Sequence, residues 1–308
     1  MHIMHKTFDN KLVIKKTIYI YSLLFYLLIM TGFLPEFIPL SNKVFGKEFI
    51  EENKYGGAQT DISAKIILTG EGQFLIAGRT NSKGAGNSDA WVLKINEQGK
   101  LLWDRTYGGI ENDGAYSIVE STDGGYVICG YTYSKSNGRD DGWVFKIDKN
   151  GKVLWEKTFG NNGSDRLNTI IGADGGGYAG VGFTDREHCA LCSEEGYIWI
   201  IKITENGELI WENKIGGSSY DIGNDLIKYK DGYVIVGRSN KSSETSFASL
   251  LEIDYQGIVT NEINLIKGKD CYFKSVAENF QEDTLLIVGD NWFDSHGSSD
   301  IWLVKLKK

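Results

Sequence analysis

The sequence predicts an all-β protein, a five-bladed β-propeller of four-stranded blades about 52 residues long, closed by its own N-terminal strand and preceded by a hydrophobic N-terminal helix. Three observations predict it. One unit recurs five times after residue 46, with the second strand of each copy ending at Gly78, Gly130, Gly182, Gly237 and Gly289. Glycine is abundant at 38 of 308 residues while proline occurs twice, which suits many tight turns between many short strands. Eight tryptophans, 16 tyrosines and 14 phenylalanines supply core material enough to exclude intrinsic disorder.

The N-terminal element comes first. Lys11, Lys15 and Lys16 precede an uncharged run from Thr17 to Leu34. A positive flank followed by such a run is the pattern of an export signal, so residues 1–46 are expected to be a signal peptide or signal anchor. Residues 1–46 carry five lysines against two acids, net +3, which leaves net −11 on residues 47–308. An acidic exported domain is a poor partner for nucleic acid, and membrane contact is expected only through the N-terminal segment if it stays uncleaved. The expected location is extracytoplasmic, either secreted or anchored at the cell surface.

Residues 47–308 are expected to form the propeller, with repeats starting near 55, 107, 159, 215 and 266. Each copy holds four strand-like runs; in the second they are AYSIVES, GYVICGYT, DGWVFKID and KVLWEKTF. Asp123-Gly124-Gly125 separates the first two and Lys149-Asn150-Gly151 the last two. Asp-Gly and Asn-Gly are strong hairpin signals because a two-residue turn favours positive φ at both central positions. A four-stranded meander with a period near 50 reads as a propeller blade. The fifth copy stops after its third strand, and Lys47–Tyr55 aligns with the missing fourth, Tyr55 falling on Tyr107. This predicts that the N-terminal strand completes the last blade and hides both sheet edges.

The run KIDKNGKVLW (Lys146–Trp155) recurs as KINEQGKLLW (Lys94–Trp103) and KITENGELIW (Lys202–Trp211). It resembles the tryptophan-docking signature of the quinoprotein-alcohol-dehydrogenase-like propeller superfamily, and the whole unit resembles the repeats of bacterial secreted propellers. The resemblance covers residues 47–308. It implies the propeller fold. The family's quinone enzymes carry eight blades and an adjacent Cys-Cys pair, both missing here, so no cofactor is expected. Non-enzymatic members act as binding scaffolds, and the chain is more similar to those. Kelch repeats are a more distant likeness.

Residues that recur from blade to blade are expected to serve packing. Trp91, Trp143, Trp199 and Trp302 occupy one repeated position and Trp103, Trp155 and Trp211 another; both sets are expected to glue blade to blade. Asp61, Asp113, Asp165 and Asp221 recur just before the first strand. They read as channel-mouth carboxylates that either hold a cation or, as preferred, each order their own loop.

Residues that break the repeat are the better candidates for function. They lie in the longer loops between second and third strands, on one face of the molecule. The ligand-binding candidates are Trp292, Phe293, Tyr133 and Arg186. Cys189 and Cys192 are expected to form a local disulfide or remain free thiols rather than bind metal, because the second half of a zinc site is missing. No metal site is expected. No nucleophile elbow, zinc-protease motif or phosphate loop occurs. The leading expectation is an exported, non-catalytic propeller that binds a protein or glycan on its longer-loop face. The alternative is a polysaccharide-acting hydrolase or lyase that uses the channel-mouth carboxylates.

Overall fold

The computed structural model describes residues 43–44, 47–48, 52–186, 196–242, 245–265, 271–291 and 300–307. They fall into two compact units, residues 1–52 and 53–308. The described part of the first is a two-stranded hairpin of β1 (Lys43–Val44) and β2 (Lys47–Glu48). The apolar run from Thr17 to Leu34 lies outside the described residues. Among those described, no helix is long and apolar enough to cross a membrane.

The second unit is a five-bladed β-propeller. The first blade contains β3 (Asp61–Leu68), β4 (Phe74–Thr80), β5 (Asp89–Ile95) and β6 (Leu101–Tyr107). The second contains β7 (Asp113–Glu120), β8 (Tyr126–Thr132), β9 (Asp141–Ile147) and β10 (Val153–Phe159). The third contains β11 (Ser164–Gly172), β12 (Tyr178–Arg186), β13 (Gly196–Ile203) and β14 (Leu209–Ser219). The fourth contains β15 (Ile222–Tyr229), β16 (Gly232–Ser242), β17 (Thr245–Asp254) and β18 (Val259–Leu265). The fifth contains β19 (Cys271–Asn279), β20 (Thr284–Asn291) and β21 (Asp300–Lys307). Each blade is an antiparallel meander in sequence order.

The turn between β9 and β10 differs from the two-residue type expected. The Gly151 amide donates to the Asp148 carbonyl, and Asp148 Oδ1 accepts from the amides of Asn150 and Lys152. Only Gly151 has positive φ, at 85°. The turn is therefore a four-residue one, held by an aspartate side chain and ended by a left-handed glycine. A residue later, the ladder between β9 and β10 shifts register.

The core lies between neighbouring blades. Trp143 is 1% exposed and packs with Ala90 and Val92 of the first blade and Phe145 of its own. Trp199 repeats this one blade on, among Val127, Val144 and Leu167. The second tryptophan set bonds forward: Trp155 Nε1 donates to the Glu205 carbonyl at 3.1 Å and Trp211 Nε1 to that of Tyr255 at 3.2 Å. Both sets join blade to blade, as their recurrence implied.

One expectation is corrected. Among the described residues, the fourth strand expected at Lys47–Tyr55 is not found: Lys47 and Glu48 pair with Val44 and Lys43, and the segment 53–60 forms no strand, while positions 49–51 lie outside the described residues. Among the described residues the fifth blade has three strands, and β21 pairs only with β20. Its outward side chains Ile301 and Leu303 are 84% and 65% exposed. On the first blade, Ile66 and Leu68 of β3 are 56% and 63% exposed. Tyr55 nevertheless keeps its repeat position, because its hydroxyl donates to the Gly99 carbonyl as that of Tyr107 does to Gly151.

Candidate functional site

The recurring aspartates explain how the loops at one end of the blades are held. Asp113 is fully buried and accepts from the Gly109 amide at 2.8 Å, from the Ser134 hydroxyl at 2.6 Å and from the Thr132 hydroxyl. Asp165 accepts from the amides of Asn161 and Asp185 and from the Thr184 hydroxyl. Asp61 accepts from the Gly57 amide and from the hydroxyls of Ser82 and Thr80, and these donors hold its carboxyl below the ordinary value although burial works the other way. Asp221 accepts from the Gly217 amide at 2.7 Å. Each carboxylate thus stitches the incoming loop to the end of its own blade's second strand or to its own loop. Among the described residues, no group of three or more His, Cys, Asp or Glu is placed to hold a metal ion.

Blade-to-blade hydrogen bonds set the same loops side by side. The Asp113 amide donates to the Ser88 carbonyl and the Asp165 amide to that of Asp140, each at 2.7 Å. Ser88 and Asn112 form a parallel bridge, as do Asp140 and Ser164. This staples the start of β7 to the first blade beside β5 and the start of β11 to the second blade beside β9. The loops are consequently fixed platforms.

Between the first three blades the loops border an open cavity of about 410 Å³ lined by Thr60, Arg79, Asn81, Ser88, Asn112, Tyr131, Tyr133 and Arg166. It lies at the end where first strands begin and second strands finish, the longer-loop face. Its walls use repeat positions that vary. Arg79 and Tyr131 each follow the glycine that ends a second strand, and Asn81 and Tyr133 lie two residues further on. Thr60 and Asn112 each precede the repeated aspartate, and Arg166 follows one.

Arg166 organises the floor. Its Nε pairs with the Asp140 carboxylate, its Nη1 donates to the Tyr116 hydroxyl at 3.0 Å and its Nη2 to that of Tyr133 at 3.4 Å. Its guanidinium carbon stands 4.2 Å from the centroid of the Tyr131 ring, a cation–π distance. Burial opposes its charge, but Tyr116 and Asp140 outweigh burial and raise its pKa above the ordinary value, so it stays charged. Tyr131 packs against Tyr116 at 5.3 Å and edge-on against Tyr133 at 6.1 Å. Burial pushes the Tyr116 hydroxyl upward in pKa, so at neutral pH it is a neutral donor and acceptor. Arg79 Nη1 donates to the Tyr131 hydroxyl at 3.4 Å. Among the described residues, no carboxylate forms a salt bridge with Arg79.

Of the residues singled out in the sequence, Tyr133 lies in this cavity. Arg186 ends β12, its backbone opposite Ser164. Trp292, Phe293, Cys189 and Cys192 lie outside the described residues. Cys129 and Cys271 are buried. Arg79, Tyr131 and Arg166 were not anticipated. Their signal was available as substitutions beside fixed residues: Arg166 follows its aspartate where Ile62, Gly114 and Ile222 follow theirs.

No protein-family model and no curated protein matches the chain. Among solved structures, it is similar to a GH43 β-xylosidase/α-arabinofuranosidase from a compost microbial metagenome, at 12% identity and a TM-score of 0.43, over 80% of this chain and 90% of that one. It is similar also to the native arabinanase of Bacillus subtilis, at 10% identity and 0.37, over 79% and 95%. The Pan2 WD40 domain of Neurospora crassa is a third, at 10% identity and 0.41, over 74% and 75%.

Proposed function

We propose that the protein is an exported, non-catalytic propeller that binds a glycan in the cavity between its first three blades. One observation carries this reading. The cavity combines aromatic rings with amide, hydroxyl and guanidinium donors on loops stapled to neighbouring blades. Tyrosine offers a flat apolar face to the C–H side of a sugar ring, while the fixed polar groups match its hydroxyls. Preorganised loops lower the ordering cost of binding. The N-terminal run Thr17–Leu34, with its lysine flank, supports export and a location outside the cytoplasm or at the cell surface.

A hydrolase or lyase working through Asp61, Asp113, Asp165 and Asp221 is the weaker reading. A general acid and base need distinct environments, one carboxyl protonated and one ionised. Asp113, Asp165 and Asp221 are instead buried and share one loop-holding role.

A glycan array probed with the full-length protein tests the proposal. Binding that falls about tenfold or more in Tyr133→Ala, with unchanged circular dichroism, is the expected result. An array without hits, or a variant that binds like the parent, sinks it. Cell fractionation with N-terminal sequencing tests export; an intact protein in the cytoplasmic fraction refutes it.

A further inference from the structure

We propose that the cavity selects a sugar carrying a carboxylate, with Arg79 as the residue that reads the charge. This inference rests on the glycan-binding reading above and narrows its ligand class.

The argument is a balance of charge. Two guanidinium groups line the cavity. Arg166 is matched by the buried Asp140 carboxylate, which is 1% exposed. Arg79 has no such match among the described residues; its one hydrogen bond there is to the Tyr131 hydroxyl. Arg79 is half-buried, so part of its hydration is already removed. A charge drawn partly out of water without a counter-charge is costly, and a bound anion relieves that cost. The cavity therefore carries one surplus positive charge in a chain whose formal net charge is −8.

The remaining lining limits what kind of anion fits. Thr60, Asn81, Ser88 and Asn112 are neutral and offer both donors and acceptors, which suit ring hydroxyls rather than a second or third negative charge. A singly charged, planar group on a polyhydroxylated ring meets these conditions. The guanidinium fork pairs with a carboxylate through two parallel hydrogen bonds. A cavity of about 410 Å³ lies in the range of small-ligand sites, roughly 300–1,000 Å³, and admits one or two sugar residues.

Isothermal titration of the full-length protein decides the matter. The probes are disaccharides of galacturonate, glucuronate, mannuronate and guluronate, their methyl esters, neutral cellobiose and xylobiose, and a sulfated disaccharide. At least one uronate should bind, its methyl ester about tenfold or more weaker, with affinity falling as salt is raised. Arg79→Gln should weaken the acid by a similar factor and leave the ester unchanged, while Arg79→Lys retains part of the preference. Equal binding of acid and ester, or of parent and Arg79→Gln, overturns the charge claim. So does binding of only the neutral or the sulfated probe. If acid and ester bind alike and both are lost in Tyr133→Ala, the glycan reading stands and this inference alone fails. If no probe binds, this inference fails, and the glycan array alone decides the glycan reading.

Discussion

Tyr55 stands to Gly99 as Tyr107 stands to Gly151: in each pair the phenol hydroxyl donates to the carbonyl of the left-handed glycine in the next blade's last turn. Tyr107 is the last residue of a strand, whereas Tyr55 lies in a segment without one. The contact therefore survives where the strand does not. Tyr107→Phe should cost about 1 kcal/mol in chemical denaturation, because it strands a buried carbonyl. Tyr55→Phe should cost less, since its surroundings are partly solvated. A larger loss for Tyr55 than for Tyr107 would contradict this.

Gly207 has φ of +79°, and an added Cβ would lie 2.7 Å from the Trp155 ring of the preceding blade. Two penalties combine, backbone strain and displacement of an inter-blade tryptophan. Gly207→Ala should lower stability by roughly 2 kcal/mol or more. Gly124 also has positive φ, but open space around it. Gly124→Ala should show the backbone penalty alone, about 1 kcal/mol. Equal losses would mean that the tryptophan contact adds nothing.

Asp113 and Asp141 are both buried yet should answer substitution differently. Asp113 accepts bonds from two hydroxyls and from loop amides, so Asp113→Ala should cost roughly 2–4 kcal/mol. Asp141 accepts one amide bond, from Asn137, and its Oδ1 is buried without a partner. Burial pushes its carboxyl above the ordinary value of 3.8, with Asp165 and Asp140 adding to the rise. The folded state then holds this proton more tightly than the unfolded chain does, so Asp141 detracts from stability at neutral pH. That deficit shrinks as pH falls through the folded value toward 3.8. Asp141→Asn should remove it, giving a variant whose stability rises less, relative to the parent, between pH 7 and pH 4. Identical pH profiles would refute the assignment.

Asp123 has the opposite sign. Its bond from Lys146 Nζ is the main cause of a carboxyl held at about 2. Its contribution is present above the ordinary value of 3.8 and is lost as pH falls toward 2. The side chain is 56% exposed, so the pair is screened and contributes at most about 1 kcal/mol. Lys146→Met should flatten the acid limb of a denaturation series between pH 4 and pH 2.

Cys129 is fully buried in β8, and burial raises its thiol pKa far beyond the ordinary value. It should resist iodoacetamide in native buffer and react only on unfolding. Rapid native labelling at Cys129 would show that the blade interior opens.

The repeat was legible because one packing solution recurs. The tryptophans, the buried aspartates and the turn glycines meet the same neighbours in blade after blade, so the spacing of residues reports the spacing of contacts. The cavity was harder to read for the converse reason. Arg79, Tyr131 and Arg166 meet only across blades and occupy positions where the copies differ, and no single copy contains the set. Tyr133 was found because it lies in a longer loop, yet its partners Arg166 and Tyr131 carry no local motif. The alignment of Tyr55 with Tyr107 placed two residues that make equivalent contacts, yet among the described residues no strand accompanies Tyr55, because register along the chain does not determine which backbone a segment pairs with.

The outermost strand β21 carries Ile301, Leu303, Lys305 and Lys307 on its exposed side. Its first half is therefore sticky and its second half cationic. Among the described residues β21 pairs only with β20, so its other margin is a sheet edge of the kind that an extended segment can extend. Ammonium groups at its far end discourage identical molecules from zippering there, since like charges would meet. Acetylating Lys305 and Lys307 would remove that deterrent, and at Lys305 would also break its ion pair with Glu282, so the modified protein should self-associate more readily at high concentration.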